Sequence, residues 1–257
     1  MTTSWINYAW RLLWTGIAFA SFSIGGFVLA VTIFPLLALF SRDAAQRAQR
    51  FRAILRLAFR LFLAVLHVSG VLRVVVKGQE RLATTRGAVI VANHPSLIDV
   101  VILAARLPAT QCIVKPALWQ HRFLGPVMRA AGYIPSDSDG ETMLRRCREA
   151  LAQGDNLIIF PEGTRSRPGA GIRFQRGFAN IAVLADAPIL PVFIRCDPPT
   201  LLKGDRWYDI PDRRVLFELD VKFPICVDTA AAAPARGREA RRLTREINGA
   251  FAGLVST

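Results

Sequence analysis

Hydrophobic and polar positions divide the chain into an apolar start, a basic amphipathic stretch and a long alternation of short apolar runs. Residues 12–40 contain no charged side chain. As a helix this run would extend about 43 Å at 1.5 Å per residue, enough to cross a hydrocarbon core of about 30 Å. Gly25, Gly26 and Pro35 are points at which such a helix can bend. A full crossing and an entry with return both remain open. Its length and the lack of a small-residue cleavage site disfavour a secretory signal. Residues 42–68 follow, with Arg47, Arg50, Arg52, Arg56 and Arg60 among Phe51, Ile54, Leu55, Phe59 and Phe62. That pattern is expected of a helix lying in a membrane interface. Residues 1–70 are thus expected to form a membrane anchor with interfacial helices. The competing reading, two core helices of a soluble protein, must accommodate an unusually long uncharged run.

Beyond residue 70 the pattern changes to short β-branched and apolar runs at 71–78, 88–92, 111–115, 156–160, 188–195 and 214–223. Helical stretches lie between several of them, for example 99–106 and 140–153. Alternating strands and helices predict an α/β fold, a mostly parallel sheet flanked by helices, with the membrane-associated helical segment at its N-terminal side. This catalytic-type domain is expected over 71–228. Residues 230–237 read as a small-residue linker and 238–254 as a basic amphipathic helix, so 229–257 forms a third segment. The chain shows no internal repeat.

Charge narrows the partners. Lys and Arg number 33 against 19 Asp and Glu, a net charge of +14. Such a balance suits an anionic membrane surface, nucleic acid or an acidic carrier protein. Nucleic acid is not expected, because no recognition motif accompanies the charge. Cys112, Cys147, Cys196 and Cys226 are widely spaced, without a Cys-x-x-Cys pair. They indicate neither zinc nor a disulfide framework, and read as reduced, mostly buried thiols of a cytosol-facing domain. His67 and His121 lack neighbouring ligand residues, so no metal is expected.

Chemistry concentrates in two segments. The first is Asn93-His94-Pro95-Ser96-Leu97-Ile98-Asp99, directly after an apolar run. A neutral imidazole suits removal of a hydroxyl proton, since its ordinary pKa is near 6.5. Pro95 fits the first position of a helix, which would put Asp99 in the second turn. Five residues correspond to about 500° of helical rotation, so the pair cannot share a face on a straight helix. His94 must therefore sit in the non-helical turn and lean back toward Asp99. Asp99 would then fix the tautomer and leave the other ring nitrogen as base. The plain alternative is a capping histidine with an ordinary first-turn acid. Ser96 lacks a Gly-x-Ser-x-Gly elbow, which argues against a serine nucleophile.

The second segment, Phe160-Pro161-Glu162-Gly163-Thr164-Arg165-Ser166, follows the run Leu157-Ile158-Ile159. Loops after parallel strands are where α/β sheets place ligands. Arg165 offers a planar fork suited to phosphate, and Gly163 permits close backbone approach. Glu162 would either accept a hydrogen bond from an acceptor hydroxyl or hold Arg165. An N–H near Gly163 or Thr164 is a candidate oxyanion donor. Arg173 and Arg176 either extend a phosphate or carrier-docking surface or belong to a solvated loop.

Together the two segments resemble the glycerolipid acyltransferase family, which includes the bacterial 1-acylglycerol-3-phosphate acyltransferases. Lys115-Pro116-Ala117-Leu118, Gly125-Pro126 and Gly132-Tyr133-Ile134 are similar to the family's intervening block, and Pro188-Ile189-Leu190-Pro191-Val192 to its closing strand. The resemblance covers roughly residues 72–228. It implies that His94 is the general base, that Asp99 orients it, and that Glu162 and Arg165 bind the acceptor. Gly163, Thr164 and Lys115 join the expected substrate site. Lys115 gains weight because residues 135–138 lack the arginine usual in the family. The implied reaction moves a fatty acyl group from acyl carrier protein or coenzyme A to a lysolipid hydroxyl, most simply that of 1-acylglycerol 3-phosphate, with no cofactor. The expected location is the inner (cytoplasmic) membrane with the catalytic domain facing the cytoplasm, from the arginine excess after residue 40. Two alternatives stand beside this. One is another lysolipid acceptor, such as a lyso-ornithine or aryl polyene lipid, since residues 201–208 resemble the aryl polyene branch. The other is a non-catalytic lipid-binding membrane protein.

Overall fold

The structure, a computed structural model, describes residues 5–40, 43–136, 139–166, 171–228 and 233–255. Arg42, Asp137, Ser138 and residues 230–232, on which the sequence raised expectations, lie outside them. Two long helices open the chain, α1 (Trp5–Phe40) and α2 (Ala44–Val68). The remainder alternates: β1 (Leu72–Lys77), α3 (Gln79–Thr84), β2 (Val89–Ala92), α4 (Asp99–Arg106), β3 (Thr110–Val114), α5 (Pro116–Trp119) and α6 (Leu124–Ala130). It continues through β4 (Ile134–Pro135), α7 (Gly140–Ala152), β5 (Asn156–Ile159), α8 (Gly177–Ala185), β6 (Ile189–Asp197), β7 (Val215–Val221) and α9 (Ala233–Val255).

The strands form one sheet in the order β1-β7-β6-β2-β5-β3-β4. β6, β2, β5, β3 and β4 run parallel, whereas β7 is antiparallel to β6 and β1 parallel to β7. The α/β expectation therefore holds, with β1 and β7 reversed on one flank. β2 and β5 are adjacent and in register, Val91 opposite Ile159, so the segments that follow them leave the same edge side by side.

Strand alternation separates two cores. Ile90, Ala92, Leu190 and Val192 face the core shared with α1, α2, α4 and α6. Val89, Val91, Leu157 and Ile189 face the core shared with α7, α8 and α9. From α9 this second core takes Ala240, Leu243, Ile247 and Phe251, which share one stripe at helical spacing. Helix α9 already begins at Ala233, so the linker expected up to residue 237 is shorter than its small residues implied. Pro at the second helical position does not interrupt a helix start.

Helix α1 is long and apolar enough to cross a membrane, and is mostly uncovered over its most apolar window. Leu13, Ile17, Ile24, Val28, Val31 and Leu36 are exposed along it, and Leu57, Leu61, Val65 and Val68 form an exposed stripe on α2. Apolar stripes of this extent suggest membrane association. The helices hold each other through Phe22 against Phe59 and Phe62, and Phe34 against Phe51.

The basic face of α2 departs from a purely interfacial role. Arg52 is buried; its Nη2 donates to Asp155 at 2.6 Å and its Nη1 to the Ala131 carbonyl at 3.0 Å. Gln111 donates to the same carboxylate at 3.1 Å. Arg56 donates to the carbonyls of Ala105 and Arg106 at the end of α4. Two of the five arginines thus dock α2 onto the sheet domain, while Arg50 and Arg60 are exposed. Among the cysteines, Cys112 and Cys147 are buried and Cys226 is exposed.

Removing one partner of a buried ion pair leaves an uncompensated charge, at a cost of about 3–5 kcal/mol. Arg52→Ala is therefore expected to lower unfolding stability by about that amount in denaturant titrations in detergent. Arg50→Ala, at an exposed position, is expected to change it by less than about 0.5 kcal/mol.

Candidate functional site

The first segment forms a short loop rather than the start of a helix. Pro95 lies in that loop, and α4 begins at Asp99 instead of Pro95. Asp99 is thus in the first turn, one turn earlier than expected. The cause is local: the Asp99 carboxylate accepts a 2.7 Å hydrogen bond from the Ser96 N–H, closing residues 96–99 into a turn ahead of the helix. The same oxygen, Oδ2, lies 2.9 Å from Nδ1 of His94. His94 leans back to Asp99 from the non-helical loop, as the rotation argument required.

Asp99 is fully buried, and its Oδ1 has no hydrogen-bond partner. Burial raises its pKa to about 6; the hydrogen bond from His94 and that from Ser96 pull in the opposite direction. An ionised carboxylate here favours the ring tautomer that donates from Nδ1–H, and Nε2 makes no hydrogen bond among the described residues. The imidazole ring stacks on Phe160, centroids 4.1 Å apart, and its side chain remains 18% exposed. It is held on one side and open on the other.

The second segment is tied directly to the first. Glu162 Oε1 accepts from the His94 N–H at 3.0 Å and from the Ser166 hydroxyl at 2.7 Å. Ser166 N–H donates to the His94 carbonyl at 2.8 Å. Of the two roles open to Glu162, an ion pair with Arg165 is not formed; its carboxylate clamps the His94 backbone. Gly163 has φ +68°, where an L side chain is strained, and its N–H donates to the Phe160 carbonyl at 3.1 Å. Thr164 is exposed beside it, and its N–H makes no hydrogen bond among the described residues. Arg165 Nη1 donates to the carbonyls of Leu201 and Leu202 at 2.7 and 2.9 Å, while Nε and Nη2 make no hydrogen bond among the described residues. Lys115 caps α5 directly after β3, the strand beside β5, and is exposed. All the expected residues therefore follow neighbouring parallel strands at one sheet edge.

Three contributors had not been assigned roles from sequence. Asn93 pairs twice with Ile194 of β6, donating to its carbonyl at 2.8 Å and accepting from its N–H at 2.7 Å. The side chain so continues the ladder where β2 stops. Phe160 supports the imidazole, and Ser166 shares the Glu162 clamp. Their place inside the two motifs was the only sequence signal. An apolar cavity opens next to the site, lined by Phe19, Phe62, Ile98, Leu201, Trp207 and Phe217. Ile98 adjoins Asp99 in sequence, and Leu201 supplies a carbonyl to Arg165. Among the described residues no group of three or more His, Cys, Asp or Glu side chains could hold a metal.

The raised pKa of Asp99 has a signed consequence. Its unfolded value is near 3.9, so the folded protein binds this proton more tightly. The stability it contributes is present below about pH 4 and is lost as pH rises through about 6. In urea titrations at pH 5 and pH 8, Asp99→Asn should gain on the parent protein at the higher pH; an unchanged gap would show Asp99 unshifted.

With this geometry in place, comparison with known proteins is specific. Residues 73–195 match the family model described as Acyltransferase. A 1-acyl-sn-glycerol-3-phosphate acyltransferase of Helicobacter pylori is 34% identical over 116 residues, 43% of this chain and 49% of the relative. One from Cocos nucifera is 30% identical over 127 residues, 47% of this chain and 41% of the relative. The alpha form from Mus musculus is 30% identical over 192 residues, 72% of this chain and 64% of the relative. The chain thus spans between 41% and 64% of the length of these curated relatives. The crystal structure of the 1-acyl-sn-glycerophosphate acyltransferase PlsC from Thermotoga maritima shares the fold, with TM-score 0.66 and 24% identity over 95% of this chain and 96% of that one. The chain, with its acyltransferase domain over residues 73–195, belongs to the glycerolipid acyltransferase family.

Proposed function

We propose that this protein transfers a fatty acyl group from a thioester to the free hydroxyl of 1-acylglycerol 3-phosphate, forming phosphatidic acid. The observation that carries the reading is the imidazole of His94, held by a buried carboxylate on one side, with its backbone clamped by Glu162 and Ser166 of the loop that carries Arg165. Nε2 takes the hydroxyl proton as the acceptor oxygen attacks the thioester carbonyl. Asp99 stabilises the imidazolium that forms. When the carbon–sulfur bond breaks, the imidazolium returns its proton to the departing thiolate. The Thr164 N–H is the free candidate donor for the oxyanion, since the Gly163 N–H is engaged. Nε and Nη2 of Arg165, with Lys115, bind the phosphate. The donor is acyl carrier protein or coenzyme A, and no further cofactor enters the scheme.

The exposed apolar stripes of α1 and α2 support a site that works at a lipid surface, where the acceptor's acyl chain stays in the bilayer. In this scheme residues 1–70 anchor the protein, 71–228 carry catalysis and 229–257 add the last helix and its lead-in. The arginine excess after α1 supports a domain on the cytoplasmic face of the inner membrane. A lysolipid with a different headgroup is the second reading. It is favoured by the engagement of Arg165 Nη1 with two carbonyls, which leaves one fewer donor for phosphate.

Purified protein, a labelled acyl donor and a panel of lysolipids test the assignment. Turnover on 1-acylglycerol 3-phosphate above the other acceptors is expected; no turnover on any lysolipid would reject it. His94→Ala should lower kcat by about 10²–10⁴ with membrane binding retained. Arg165→Ala should raise KM for the phosphate-bearing acceptor by about tenfold or more, the size of a lost charge-assisted hydrogen bond of about 1.5–3 kcal/mol. The rate should fall as pH drops through about 6, because protonated Asp99 no longer supports the imidazolium.

A further inference from the structure

A groove of about 740 Å³ lies between α9 and the segment leading into α8. Arg173 and Arg176 line one wall and Arg241 and Arg245 the other, and no carboxylate lines it among the described residues. None of the four guanidiniums has a hydrogen bond or ion pair among the described residues, and all four residues are exposed. Arg242, on another face of α9, contrasts with them: it is held by Glu239 at 2.6 Å and Glu246 at 2.7 Å. Exposed Arg238 extends the row, since 238, 241 and 245 follow helical spacing and span about 10 Å of the helix.

Two facts connect this surface to the site and separate it from the membrane. The rim residue Gln175 donates its backbone N–H to the Pro161 carbonyl at 3.1 Å, and its side chain packs near Gly163. The groove therefore meets the turn that carries Glu162 and Arg165. Helices α8 and α9 pack on the sheet face opposite α1 and α2. A lipid drawn in along α1 and α2 approaches from one side; this groove faces the other, where a water-soluble partner has access.

We infer that the groove is the docking surface for an acidic acyl carrier protein that presents the thioester to His94. The inference rests on the acyl-transfer reading for its donor. Five unpaired arginines on two elements exceed what one phosphate group needs, and a row of about 10 Å matches the acidic side of a helix rather than a single anion. Complementary charge of this kind speeds encounter and is weakened by salt.

Binding is measured directly, which keeps this inference separate from turnover. The full-length protein in detergent is titrated with fluorescently labelled acyl carrier protein, and anisotropy is read at low and at high salt. The double variant Arg241→Glu with Arg245→Glu should weaken binding at least tenfold. The control Arg73→Glu with Lys77→Glu, an equal charge change at exposed β1 positions, should leave binding within twofold. In turnover, the double variant should lower the ratio of kcat/KM for the carrier-bound donor to that for acyl-coenzyme A by about tenfold. Absence of carrier binding to the parent protein, or equal weakening by both variants, overturns the inference. So does adenosine 3′,5′-bisphosphate competing for the groove with equal loss on charge reversal, which would mark a nucleotide site. A protein that binds the carrier yet transfers no acyl group contradicts the proposed reaction instead.

Discussion

One buried carboxylate organises this site. Asp99 is out of reach of water, and among the described residues its carboxylate meets two partners, Nδ1 of His94 and the N–H of Ser96. A carboxylate so placed is ionised near neutrality only because those donors favour the charged form. The dependence is mutual. Ser96 donates because the chain folds into a turn before α4, and His94 donates because the loop keeps it outside the helix. Had the helix taken in His94 itself, the five-residue spacing would have sent the two side chains to different faces.

The second constraint is sheet topology. β2 and β5 are parallel neighbours in register, although 68 positions separate His94 from Glu162. Their trailing segments therefore rise together, and Glu162 and Ser166 lock the His94 backbone from the other loop. Asn93 performs the equivalent task toward β6, bonding to both backbone polar groups of Ile194. The loops that carry His94 and Arg165 are thus held together by backbone-level contacts, with less reliance on side-chain freedom. This explains why the glutamate carries structural as well as chemical weight: its Oε1 is already occupied before any acceptor arrives.

Much of this was legible in the sequence because the signals are local. The apolar runs at 88–92, 111–115 and 156–160 correspond to β2, β3 and β5, and residues 99–106 to α4. What escaped depended on distant partners. Amphipathic spacing in α2 identifies a basic face but not what meets it; Arg52 finds Asp155 and Arg56 finds the end of α4. The reversed direction of β1 and β7 is set by a long connection after β6, which no run of apolar residues encodes. Small residues at 233–237 read as linker, yet α9 includes them because its later turns are anchored in the core by Leu243, Ile247 and Phe251. The choice of Glu162 for His94 rather than for Arg165 likewise needs the loops in space.

The molecule is two-sided. Apolar helices cover one sheet face and carry uncovered stripes; α7, α8 and an arginine-rich helix cover the other, and the site sits at the edge between them. In the proposed reaction, an acceptor from the bilayer and a donor from water meet at His94 without exchanging surroundings. All of it rests on which ring nitrogen of His94 carries the proton. The most direct measurement is the ¹⁵N spectrum of histidine-labelled protein near pH 7.5, with His94 assigned by its loss in His94→Ala among the three histidines of the chain. The account predicts a neutral ring protonated at Nδ1, with Nε2 bare, and loss of that preference in Asp99→Ala. A ring protonated at Nε2 in the parent protein would contradict it.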